Sequence, residues 1–113
     1  MPSLPLVRAA VAVIRDNGRY LVSRRRARAH LGGLWEFPGG KRQSRESWPA
    51  CLRRELREEL GIDVRVGRRL APLRFSYPDR RVVLQVFRAT IASGRLRAKA
   101  VAQVRWVSPR QLS

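Results

Sequence analysis

Four of the eight acidic residues in this 113-residue chain lie between Glu46 and Glu59, although its formal net charge is +17. The stretch reads GKRQSRESWPACLRRELREELGI from Gly40 to Ile62. On a helix, Glu55, Glu58 and Glu59 fall within about 100° of one another. Three carboxylates that close repel, and a cation among them removes the repulsion. Oxygen ligands without His or Cys favour a hard ion, Mg²⁺ or Mn²⁺, over zinc. The same residues also fit a solvated helix held by Arg–Glu pairs at i, i+4, such as Arg54 with Glu58. The helix alone leaves both readings open.

The segment has the signals a helix needs. Ser47 is a candidate N-cap, Pro49 falls in the first turn, and Gly61 supplies the stop. Leu52, Leu56 and Leu60 form one apolar stripe for a core, beside the carboxylates. Arg53, Arg54 and Arg57 fill the remaining arc.

The spacing G-x5-E-x7-R-E-U-x-E-E-x-G-U (U apolar) runs from Gly40 to Ile62. With each residue type at about 5–10% abundance, seven fixed matches arise by chance on the order of once in 10⁸ windows. The stretch resembles the Nudix box, and the chain resembles a Nudix hydrolase. That resemblance implies Glu55 and Glu59 as central metal ligands and Glu58 as a third ligand or a base acting through water. Gly39 would offer its backbone carbonyl, and Glu46 would hydrogen-bond to the shell or join it. Arg54 would orient a carboxylate. Together these residues would serve an in-line displacement at a pyrophosphate, with a divalent cation neutralising charge and activating water.

The resemblance continues in Arg24-Arg25, His30, Trp35–Lys41 (WEFPGGK), Tyr77-Pro78-Asp79-Arg80 and Trp106, which look like the bacterial MutT-type branch. Members of that branch hydrolyse 8-oxo-dGTP to the monophosphate and pyrophosphate. By that likeness Arg25, Phe37, Lys41 and Arg80 are substrate-binding candidates. Phe37 and Trp35 fit a core equally well, Arg25 and Arg80 fit ordinary surface charge, and a loop His such as His30 is usually only solvated. Two departures stand out. The branch has a Glu six residues before the final Trp, where this chain has Ala100; loss of a general base there implies a rate lower by roughly 10²–10⁴. The segment that reads the purine with an amide side chain lies beyond Ser113, which removes hydrogen-bond discrimination.

Composition sets wider bounds. The length suits one domain, residues 1–113, with one modest core. The charge, nearly all Arg, points to polyanionic partners: a nucleotide substrate, and nonspecific nucleic acid at low salt. A scattered Arg-rich surface is the plainer account of most of these side chains. Cys51 is alone, which fits a reducing compartment, and the Arg8-interrupted apolar run near the N-terminus is too short to span a membrane. A cytoplasmic location is the expectation.

Strands are predicted at Val7–Ile14, Arg19–Arg25, Trp35–Phe37, across the interrupted stretch Val64–Phe75, at Arg81–Ile91 and at Val101–Val107. Asp16-Asn17-Gly18 marks a hairpin turn, residues 26–34 a loop, and Pro38-Gly39-Gly40 a turn. Ser108-Pro109 starts a helix that the chain follows for about one turn. The fold class is α+β, a Nudix-type α/β/α sandwich with a mixed sheet whose second, C-terminal helix is truncated. An apolar sheet face is therefore expected to be exposed, with marginal stability, an oligomer or a covering partner. The function expected is Mg²⁺-dependent hydrolysis of nucleoside triphosphates, 8-oxo-dGTP or dGTP first. The alternatives are a catalytically weak nucleotide- or RNA-binding module, and another nucleoside diphosphate-linked substrate.

Overall fold

The computed structural model describes residues 4–29 and 32–112. Its elements are β1 (Leu6–Asp16), β2 (Arg19–Arg24), β3 (Trp35–Glu36), β4 (Gly39–Lys41), α1 (Trp48–Leu60), β5 (Ile62–Arg69), β6 (Leu73–Ser76), β7 (Arg81–Gly94), β8 (Gln103–Val107) and the 3₁₀ turn η1 (Pro109–Leu112). The strands join one mixed sheet with the path β3-β2-β1-β7-β5. β4 pairs with β1, β6 with β7, and β8 with β2. The β1–β7 pairing is parallel, from Leu6↔Arg81 to Ile14↔Ala89, and is possible because α1 and its flanking strands supply the long crossover. Asn17 and Gly18 turn β1 into β2 with φ of 50° and 73°, as a two-residue hairpin requires.

The core lies between α1 and one face of the sheet. Leu52, Leu56 and Leu60 are fully buried, as the stripe predicted, and pack with Ala10, Ala12, Ile14, Leu21 and Phe87. Small alanines on β1 let the helix approach closely, and that approach brings its carboxylate side down onto β4. The opposite face is apolar and more open: Val7 and Val11 of β1, Val82 and Leu84 of β7, and Leu73 and Phe75 of β6 line a shared cleft. Leu73 and Phe75 remain 48% and 43% exposed. Only η1 borders this face where the second helix was expected, so among the described residues this is an α+β sheet with a single α-helix.

Several sequence boundaries shift. Gly39–Lys41 is a strand paired with Ala9–Val11, not part of a turn. Val101 and Ala102 precede β8, and the broken stretch after α1 resolves into β5 and β6. No helix among the described residues is long and apolar enough to cross a membrane. Leu56→Ala is expected to lower unfolding free energy by roughly 3 kcal/mol, and Leu73→Ala by less than about 1 kcal/mol, in urea titrations. Equal losses would place the core elsewhere.

Candidate active site

α1 begins where its sequence says it should. Ser47 Oγ accepts from the Ala50 amide at 3.2 Å, and the Gly61 amide donates to the Arg57 carbonyl at 3.1 Å. With both ends fixed and the leucines buried, the neighbouring side of the helix faces the Pro38–Lys41 segment. Pro38 is itself fully buried, and its carbonyl accepts from the Ala12 amide at 2.8 Å, which anchors that segment to β1.

Glycine is required twice here. A Cβ on Gly39 would overlap the Ala10 carbonyl oxygen, so this backbone lies flat on β1. A Cβ on Gly40 would occupy the position of the Glu55 carboxylate. The first glycine of the motif is thus the seat of a carboxylate, a role the sequence reading did not assign.

Arg54 organises the remaining acids. Its Nε and Nη2 donate to the two Glu46 oxygens at 2.7 and 2.9 Å, a bidentate pair. Nη1 donates to Glu55 at 2.8 Å and to Glu58 at 3.3 Å, and Nη2 also reaches the Lys41 carbonyl at 3.0 Å. The Arg54 hydrogen bonds hold Glu46 down at a pKa of about 2, and the same contacts raise Arg54. Glu46 and Arg54 therefore fasten the 41–47 loop to the helix. Glu58 is solvent-open, and its i, i+4 pair with Arg54 matches the competing sequence reading.

Glu59 differs. Burial, the adjacent Glu55 carboxylate and a hydrogen bond with it, and the field of Glu36 push Glu59 up to about 8, against a backbone hydrogen bond from Gly39. Its own carbonyl accepts the amides of Lys99 and Ala100 at 2.9 and 3.0 Å. Ala100 thus meets the C-terminal end of α1 through its backbone, while its side chain brings no acid. Burial pushes the Cys51 thiol up to about 11.

These residues fit a hard cation in a particular way. Glu55 and Glu59 are brought together against Gly39–Gly40, while Arg54 engages Glu46, Glu58 and one oxygen of Glu55. Among the described residues no three acidic, Cys or His side chains form a ready cage. Two carboxylates with a bare backbone suit Mg²⁺, which takes one or two carboxylates and completes its octahedron with phosphate oxygens and water.

On the far face of the sheet, a cleft of about 680 Å³ is lined by Gly39, Gly40 and Lys41, the segment against which this pair sits, and by none of the α1 glutamates. Arg25, Phe37, Lys41 and Arg80 all line it, so the four substrate candidates are gathered in one place. Arg25 Nε donates to Glu36 Oε1 at 2.9 Å across the rim. Arg105 also lines the cleft, with its guanidinium 5.4 Å from the Trp35 ring centroid. Sequence reasoning missed Glu36 and Arg105; the register Val22↔Arg105 puts Arg105 on this face, and alternation along β8 was the available signal. Gln103 faces Arg24 at 3.5 Å. His30 lies outside the described residues.

The mixed sheet with its single capped helix is a Nudix fold, and the chain belongs to the Nudix family: the NUDIX domain model matches residues 9–113. It is a Nudix pyrophosphohydrolase, similar to 8-oxo-dGTP diphosphatases. Over 82 residues it is 38% identical to the 8-oxo-dGTP diphosphatase of Proteus vulgaris, covering 73% of each chain. Over 108 residues it is 34% identical to the CTP pyrophosphohydrolase of Escherichia coli, covering 96% of this chain and 80% of that one. The crystal structure of a MutT protein from Methanosarcina mazei superposes with a TM-score of 0.89 at 26% identity, covering 99% and 83%.

Gly40→Ala is expected to displace the Glu55 carboxylate and lower turnover by roughly 10–100-fold while leaving the melting temperature nearly unchanged, since only a side-chain end must move. Full activity would show that Glu55 need not sit there. Because the folded pKa of Glu59 lies above the ordinary value of 4.5, the cation-free folded state holds a proton that the unfolded chain releases. Its stability should therefore fall from about pH 4.5 to about pH 8, by about 1 kcal/mol per pH unit. Glu59→Gln should remove that slope in denaturant titrations; an unchanged slope would contradict the assignment.

Proposed function

We propose that residues 1–113 act as a single domain that hydrolyses nucleoside triphosphates to the monophosphate and pyrophosphate, with 8-oxo-dGTP the first substrate. The observation that carries this reading is the Glu55–Glu59 pair seated against Gly39–Gly40, the same backbone that lines a cleft joining an apolar floor to an arginine rim. Glu55, Glu59 and the Gly39 carbonyl would hold Mg²⁺, or Mn²⁺ in its place; the cation supplies charge neutralisation at the pyrophosphate and a more acidic water. Glu58, exposed at the surface and tethered by Arg54, accepts the proton of the attacking water or completes the ligand set. Arg54 keeps Glu55 turned toward the reacting phosphate, and Glu46 keeps Arg54 in place. Lys41 meets phosphate, Phe37 lies along the base, and Arg25 and Arg80 close over the nucleotide from opposite sides of the cleft.

A second reading of the base follows from the E. coli relative, a CTP pyrophosphohydrolase whose match spans 96% of this chain. The same catalytic arrangement serves either base. Pyrophosphate release should be measured from 8-oxo-dGTP, dGTP, CTP and ADP-ribose with Mg²⁺, beside Glu59→Gln. Turnover of 8-oxo-dGTP above the rest, lost by about 10²-fold or more in Glu59→Gln, is the expected outcome. A preference for CTP selects the second reading, and equal background rates for both proteins would refute the assignment of the site.

A further inference from the structure

Beyond the cleft, the open face of the sheet carries a feature the hydrolytic site does not use. On β5, Arg65 stands directly opposite Thr90 of β7. Arg88 lies two residues before Thr90 on the same side and is level with Val13 of β1. Arg15, two residues beyond Val13, shares that face, and its guanidinium lies 5.9 Å from the Tyr20 ring centroid. All three arginines and Thr90 are exposed. Diagonal neighbours on a sheet lie about 7–8 Å apart, so three like charges surround one hydroxyl at repelling distance.

None of the three makes an ion pair with another described residue. Asp63 is held on the helix side by Arg57 at 2.7 Å, and Asp16 stands on the opposite pleat from Arg15. The charge that balances this cluster must come from outside the chain. Arg15 lies four residues along β1 from Val11, which lines the cleft beside Gly39, so the cluster is roughly 13 Å from the β4 backbone. One phosphate group cannot serve both places, whereas a strand with successive phosphates can. Arginines along a flat track with an aromatic ring at one end suit a single strand, whose phosphates meet the guanidiniums and whose bases can stack.

We infer that Arg15, Arg65 and Arg88 around Thr90 form a backbone-binding site for single-stranded nucleic acid on the open face of the sheet. The cluster stands without the hydrolytic reading; only the run of the strand toward β4 rests on it. It differs from diffuse attraction by a net charge of +17, because it assigns the binding to one place.

The test compares two variants of equal charge change, Arg15→Gln/Arg65→Gln/Arg88→Gln and Arg53→Gln/Arg95→Gln/Arg97→Gln, the second set lying on α1 and the loop beside it. Anisotropy of fluorescein-labelled U12 RNA and dT12 DNA is followed from 50 to 300 mM salt, with a poly-glutamate peptide as a third probe. Nucleotide hydrolysis and the single Arg88→Gln variant control for folding. The first triple should weaken oligonucleotide binding by about tenfold or more and lower the salt slope by about 2, while the second changes affinity less than about threefold. A difference between the RNA and DNA arms would identify the preferred strand. Equal losses in the two triples would overturn the site, and poly-glutamate binding as tight and as sensitive to the first triple would overturn its assignment to nucleic acid.

Discussion

Two carboxylates, Glu55 and Glu59, are pressed together at the edge of a buried helix face, and the surroundings are arranged to keep them there. Water would separate such a pair, but here the leucine stripe holds the helix down and the Gly39–Gly40 backbone leaves space for Glu55. The strain appears in Glu59, pushed up to about 8 by burial and by its neighbour. A proton relieves the repulsion in the bare protein; under the proposed function a divalent cation would take its place.

Arg54 makes this arrangement stable without filling it. Its bidentate grip on Glu46 joins the loop to the helix, and its remaining donor steadies Glu55 and Glu58. Glu46 is half-buried and held ionised by Arg54, so removing Arg54 would lose this bidentate pair and release the loop from the helix. The ion pairs and the Glu55–Glu59 pair are therefore complementary: Arg54 neutralises the Glu46 side of the cluster and leaves Glu59 against Glu55.

Much of this was legible in the sequence because it depends on local rules. Ser47, Pro49 and Gly61 fix the helix ends, Leu52, Leu56 and Leu60 fix its buried face, and Asn17-Gly18 fixes the first hairpin. What escaped depends on distant partners. Gly39–Lys41 is a strand only because β1 offers it an edge, and no periodicity in three residues, two of them Gly, reveals that. Glu36 and Arg105 meet the cleft because β3 and β8 both pair with β2, in the registers Ser23↔Glu36 and Val22↔Arg105. Gly40 was read as part of a turn, but its lack of a side chain serves a carboxylate fifteen residues later in the chain. The absence of an acid at Ala100 was visible, yet its backbone bond to the Glu59 carbonyl was not.

The central claim is that Glu55 and Glu59 jointly hold a divalent cation against a polyphosphate. Free Mn²⁺ can be followed by electron paramagnetic resonance as the ion is titrated into cation-free protein, with and without a non-hydrolysable nucleoside triphosphate, for the native chain and for Glu55→Gln/Glu59→Gln. Saturable binding that tightens with nucleotide in the native chain and is lost in the folded double variant is the predicted result. Identical isotherms for the two proteins would contradict the account.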